Sequence, residues 1–155
     1  MNITSSILLT SLCDLLLAIG LGILIGIERK LVQKEAGMRT FALISLGSAL
    51  FVMISRLSMS MYLGNSSLDP SRTLGQIIVG IGFLGAGVII FEQREGKVKG
   101  LTTAVIMWVT AAIGSAVGLG LYWIAIFTTV FVLLINLIIL PIERRLDRKI
   151  EGPKV

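Results

Sequence analysis

The sequence predicts an all-α fold: a polytopic transmembrane bundle of five helices in one domain spanning residues 1–155. Three observations lead there. Of the residues, 55% are hydrophobic and only 15% charged, with a mean hydropathy of +0.94. Apolar runs recur along the whole length, each close to the roughly 20 residues that cross about 30 Å of hydrocarbon. The basic residues then segregate. Arg29, Lys30, Lys34 and Arg39 follow the first run, Arg94, Lys97 and Lys99 follow the third, and Arg144, Arg145, Arg148, Lys149 and Lys154 close the chain. With five spans, 12 of the 14 basic residues fall on one side. The excess of Lys and Arg on cytoplasmic loops then puts the N-terminus outside and the C-terminus in the cytoplasm.

The spans fall at about 7–27, 40–61, 72–91, 102–119 and 121–140, with a short amphipathic tail at about 141–151. The start of the first has no basic flank or small-residue cleavage site, so helix 1 is expected to stay in the mature protein. Ala18, Gly22 and Gly26 recur every fourth residue on helix 1, Gly82 and Ala86 do so on helix 3, and Gly114 and Gly118 on helix 4. Small residues at that spacing let helix backbones approach in lipid, so helices 1, 3 and 4 are expected to pack tightly, or to pair across a homo-oligomer.

Helix 3 reads as the centre of the bundle. Asp69 can cap it, Pro70 suits its first turn, and Gly75, Gly80, Gly82, Gly85 and Gly87 line its length. The string Gly80-Ile-Gly82-Phe-Leu-Gly85 spells the dinucleotide fingerprint, but it lies inside one apolar run instead of between a strand and a helix, which voids that signal. Gly118 and Gly120 supply the turn between helices 4 and 5. In the tail, Ile142, Leu146 and Ile150 share one face, suited to the membrane interface or to ordinary positive-inside flanking. Similar glycine-led entries at Gly37 and Gly100 hint at a parallel internal repeat, although chance likeness between glycine-rich helices explains them as well.

Candidate functional residues are few. Asp14 is the one acid inside an apolar span, about 10 Å from the outer end of helix 1. Arg56 sits at a similar depth on helix 2, and the two are expected to face each other, as a static pair or as a gate, proton relay or cation site. Glu28 and Arg29 end helix 1, and Arg39 enters helix 2 close by, so a Glu28–Arg39 pair would pin the loop. Asp69 and Arg72 begin helix 3, with Gln76 one turn deeper. Thr102, Thr103, Trp108 and Thr110 give helix 4 a polar stripe, which serves either as a conduit or as threonines bonded to their own backbone.

Several classes are excluded or weakly supported. The chain has no His and a single cysteine, Cys13. No base–nucleophile set can be assembled, so the chain is not expected to be an enzyme. Magnesium prefers about six oxygens in octahedral array, and Asp14, Glu28 and Asp69 lie at three depths. No cofactor is expected, and Mg²⁺ has little support. The net charge of +5 reflects topology, not nucleic-acid binding.

The segments Gly22-Ile-Leu-Ile-Gly26-Ile-Glu28-Arg29, Ala36-Gly37-Met38-Arg39-Thr40, Asp69-Pro70-Ser71-Arg72, Gly80-Ile-Gly82-Phe-Leu-Gly85-Ala86-Gly87 and Gly100-Leu-Thr-Thr-Ala-Val-Ile-Met-Trp108-Val-Thr110 resemble the MgtC/SapB family in order and spacing. The resemblance covers about residues 15–140. It implies a bacterial inner-membrane protein linked to growth in low Mg²⁺ and, in pathogens, to survival in phagocytes. It further implies a regulator acting on other membrane proteins, including the proton ATP synthase, with the lipid bilayer and a second copy as further partners. Longer members carry a cytoplasmic C-terminal domain; this chain is expected to be a short form without it after Ile150, so the resemblance does not carry functions of that domain over. The alternative reading is a small ion transporter or channel, linked to Mg²⁺ or protons, with Asp14 and Arg56 on the path.

Overall fold

A computed structural model describes residues 3–34, 36–61, 70–92 and 97–150. The five expected spans are present: α1 (Ile3–Leu31), α2 (Met38–Met61), α3 (Pro70–Val88), α4 (Leu101–Gly118) and α5 (Tyr122–Ile150). All five contain a stretch long and apolar enough to cross a membrane. This is a multi-pass, all-α membrane protein.

The centre is α4, not α3. Most of α4 is buried, whereas most of α3 faces outward. The reason lies in where the small residues point. An added Cβ at Gly114 would sit 2.1 Å from the Ser45 carbonyl oxygen, and one at Gly118 would sit 2.6 Å from that of Ala49. Thus α4 lies backbone to backbone against α2. The same device joins α1 to α2, where Gly22 faces the Phe41 carbonyl at 2.5 Å and Gly26 faces the Met38 Cα at 2.4 Å, each measured from the added Cβ. On α3, only Gly85 meets a neighbour, the Ala104 side chain at 3.5 Å. Gly75, Gly80, Gly82 and Gly87 meet nothing within 4 Å in this chain. The expectation that Gly80, Gly82 and Gly87 pack helix 3 inside the bundle is therefore corrected. Composition marks small residues; it does not say which way they face.

Two boundaries also differ from expectation. Helix 3 stops at Val88 instead of continuing to residue 91. The chain instead forms a short antiparallel hairpin, β1 (Ile90–Glu92) with β2 (Lys97–Lys99), pairing Phe91 with Val98. Gly100 closes it at a φ of 86°, and a Cβ there would lie 2.1 Å from the Val88 carbonyl oxygen, so the return to α4 needs glycine. At the other end, the expected separate tail is continuous with α5, which runs through Pro141 to Ile150. The proline removes one backbone donor without ending the helix, as membrane helices tolerate.

The turn between α4 and α5 falls where expected. The Gly120 N–H donates to the Val117 carbonyl at 2.8 Å, and the Leu121 N–H donates to that of Ala116 at 2.8 Å. With Gly120 at a φ of 79°, this is the Schellman pattern, and it turns the chain sharply into α5. Asp69, expected to cap helix 3, lies outside the described residues.

Gly114→Ala is expected to lower the stability of the purified protein in detergent by about 1–3 kcal/mol, since backbone must give way. Gly80→Ala, with open space around it, should change the thermal midpoint little. Thermal unfolding of the two variants checks this contrast.

Candidate functional site

Two polar clusters tie α1 to α5, one near each end of the bundle. At the level where α5 begins, Asp14 of α1 is buried and accepts a 2.8 Å hydrogen bond from the Tyr122 hydroxyl. The α4–α5 turn places Tyr122 there. Beside it, Arg56 of α2 donates from Nη1 to the Gly118 carbonyl at 2.8 Å. That carbonyl belongs to the last turn of α4, where oxygens lack helical partners and the helix dipole favours a cation. Asp14 and Arg56 line one open cavity of about 370 Å³ with Ile7, Thr10, Ser11 and Met53. Asp14 and Arg56, expected to face each other, line this one cavity, but no ion pair joins them. Their direct partners are the Tyr122 hydroxyl and the Gly118 carbonyl.

At the opposite end, Glu28 and Arg29 are both buried and form a two-pronged ion pair through Arg29 Nε and Nη2. The Asn136 side chain of α5 donates to Glu28 Oε2 at 3.2 Å. The expected Glu28–Arg39 pair does not form. Glu28 turns inward toward α5, whereas Arg39 is exposed at the entrance to α2. Asn136 was not among the expected site residues. Its signal was available, as a lone amide within an apolar span, which is costly unless bonded.

The remaining candidates scatter. Arg39 and Gln76 line a groove of about 710 Å³ between α2 and α3, with Gly47, Ser48, Thr73 and Gly80. Thr73 donates to the Ser55 hydroxyl at 3.0 Å, linking α3 to α2 beside that groove. Arg72 is exposed. The expected stripe on α4 divides: Thr103 and Thr110 are buried, whereas Thr102 and Trp108 face outward. Thr110 donates to the Ile106 carbonyl at 2.8 Å, so its hydroxyl is spent on its own helix. Among the described residues, no three His, Cys, Asp or Glu side chains gather as metal ligands would.

Comparison with known proteins adds a family and several relatives. The sequence pattern described as "MgtC family" matches residues 15–145. The chain is 45% identical over 113 residues to YhiD of Escherichia coli (strain K12), which carries a provisional name as a magnesium transporter; that match covers 72% of this chain and 52% of YhiD. It is 44% identical over 130 residues to Protein SrpB of Synechococcus elongatus, covering 77% of this chain and 69% of SrpB. It is 41% identical over 136 residues to Protein MgtC of Salmonella typhimurium (strain LT2), covering 87% of this chain and 54% of that protein. The chain thus spans about half the length of YhiD and MgtC. No solved structure matches it.

Glu28→Gln is expected to destabilise the protein by about 3–5 kcal/mol, because it leaves the Arg29 charge buried without its counterion. Tyr122→Phe removes only a neutral donor to a carboxylate and should cost about 1.5–3 kcal/mol. Thermal unfolding in detergent, with both variants side by side, tests that order.

Proposed function

The chain belongs to the MgtC family, and from that membership we propose that it is a bacterial inner-membrane regulator linked to adaptation to low magnesium, acting through contacts with other membrane proteins. The proton ATP synthase is a candidate partner, and a homo-oligomer is the proposed assembly. The relatives support the magnesium link. The observation that carries the contact mechanism is the exposure of α3. Gly75 and Gly82 lie on one side of it and Gly80 and Gly87 on the other, and a Cβ at any of the four would meet nothing within 4 Å. Beside them, Phe83 is 81% exposed. In lipid, surfaces of small residues are where another helix can approach most closely.

An interior polar group supports the same reading. The Glu28 carboxylate is held by Arg29 and by a bond across to Asn136 of α5, as a scaffold contact would be.

A second reading, ion transport with Asp14 and Arg56 on the path, is favoured by the open cavity they share. The two readings separate experimentally. Photocrosslinking from α3 in native membranes should capture a membrane partner or a second copy. Gly82→Leu, which remains apolar and should insert normally, should reduce the crosslink roughly tenfold, as the loss of a helix contact worth about 1–2 kcal/mol implies. A crosslink unchanged by Gly82→Leu, together with ion flux in reconstituted vesicles abolished by Asp14→Asn, would establish transport in its place.

A further inference from the structure

We propose that the cavity between α1 and α2 binds a zwitterion made of a primary ammonium and a phosphate, the chemistry shared by an ethanolamine phospholipid headgroup and free phosphoethanolamine. The cavity has one wall from each helix. Ile7, Thr10, Ser11 and Asp14 come from α1, spaced so that they share one face, and Met53, Arg56 and Leu57 come from α2. Each wall carries one charge of opposite sign.

Those charges are not spent on each other. Asp14 is only 8% exposed, and its Oδ1 takes a bond from a neutral phenol. Arg56 is exposed, and its Nη1 gives a bond to a neutral carbonyl. A carboxylate has about four lone-pair sites and a guanidinium has five N–H donors, so both keep capacity for a ligand. A lone metal cation entering the cavity would meet the Arg56 charge, and a lone anion would meet that of Asp14. A molecule carrying both signs satisfies both walls: its ammonium on Asp14, its phosphate on the guanidinium fork, a geometry that suits Arg better than Lys.

Size and depth agree. A volume of about 370 Å³ lies within the range of small-molecule sites. Asp14 lies seven residues beyond Ile7, where the apolar span begins, about 10 Å along the helix, so the cavity runs inward from the end of that span. Thr10 and Ser11 lie about one turn from both Ile7 and Asp14 on that face, so polar side chains lead from the mouth to the carboxylate. The inference does not depend on the regulatory reading or on which side of the membrane the cavity faces.

The test uses the full chain in detergent, stripped of lipid, and three probes: dihexanoyl phosphatidylethanolamine, dihexanoyl phosphatidylglycerol and free phosphoethanolamine. Binding is read from Trp emission, since Trp123 adjoins Tyr122, and from the ligand-induced shift in thermal unfolding. Saturable binding of the ethanolamine lipid is expected, with the glycerol lipid roughly tenfold weaker or more. Asp14→Asn should abolish that preference, and Arg56→Gln should weaken both lipids roughly tenfold. Ser11→Leu fills the cavity while leaving both charges in place; it should block binding without altering helicity, and it keeps the test decisive if Asp14→Asn fails to fold. Binding of free phosphoethanolamine as tight as that of its lipid would assign a soluble ligand, and binding of the lipid alone would assign the headgroup. Equal affinity for the two lipids, unchanged binding in Ser11→Leu, or no saturable binding of any probe would overturn the proposal.

Discussion

The close approach of α4 to α2 is the constraint on which the rest of the structure depends. Between helices in lipid there is little hydrophobic driving force, because acyl chains are as apolar as leucine. What remains is packing and hydrogen bonding. At Gly114 and Gly118 the α4 backbone lies where any Cβ would strike carbonyl oxygens of α2. Along α2, Phe41, Ser45, Ala49 and Val52 are buried, and along α4 so are Ile106, Ile113 and Val117. The contact also has a chemical consequence. Gly118 both admits α2 and offers its carbonyl to Arg56. One small residue therefore sets both the approach of the helices and the position of a charge at the cavity.

The buried charged groups sit toward the two ends. Between them the core around Ala18, Leu21, Ala49 and Ile113 carries polar side chains only as hydroxyls, at Ser45, Ser48, Thr110 and Thr129 among others. Charged groups in hydrocarbon are costly, by an amount that falls toward the interface. Placing Asp14 near one end and Glu28 near the other keeps both carboxylates within reach of the polar zone while each still bridges two helices. The cost of burying Glu28 is offset by a neighbouring guanidinium and an amide from α5.

How much of this was legible depends on which properties a sequence encodes directly. Span number, the α4–α5 turn at Gly120, and the packing roles of Gly22, Gly26, Gly114 and Gly118 could be read, because hydropathy and four-residue spacing are local properties. The role of α3 could not. Gly82 and Ala86 repeat the four-residue spacing of α1 and α4, and only the assembled bundle shows that a Cβ at Gly80, Gly82 or Gly87 would meet nothing within 4 Å. The Glu28–Arg39 pair failed for a related reason: loop proximity says nothing about which side of a helix end a carboxylate takes. The hairpin at 90–99 was hidden because Ile89, Ile90 and Phe91 extend the apolar run of α3 beyond the point where the helix ends. Asp14 and Arg56 were found because a charge in an apolar span stands out, but their partners, a phenol and a backbone carbonyl, carry no such mark.

The two polar clusters also share a register. Asp14 pairs with Tyr122 and Glu28 with Asn136, and both pairs are separated by 108 positions. On α1 and on α5 alike, the two rungs are therefore 14 residues apart, about 21 Å along parallel helices. Fourteen residues at 3.6 per turn come close to four full turns, so both rungs lie near one face of each helix. Apolar helix faces can slide past one another in lipid at small cost, since many alignments bury similar surface. Two hydrogen-bonded rungs cannot: a shift of one residue on either helix breaks both and leaves two carboxylates without their α5 partners. The register of the peripheral helix α5 is thus set by four polar side chains, while its proximity is set by packing. Gly120 connects the two controls, because the turn it permits delivers Tyr122 to Asp14 immediately after the most deeply buried helix ends.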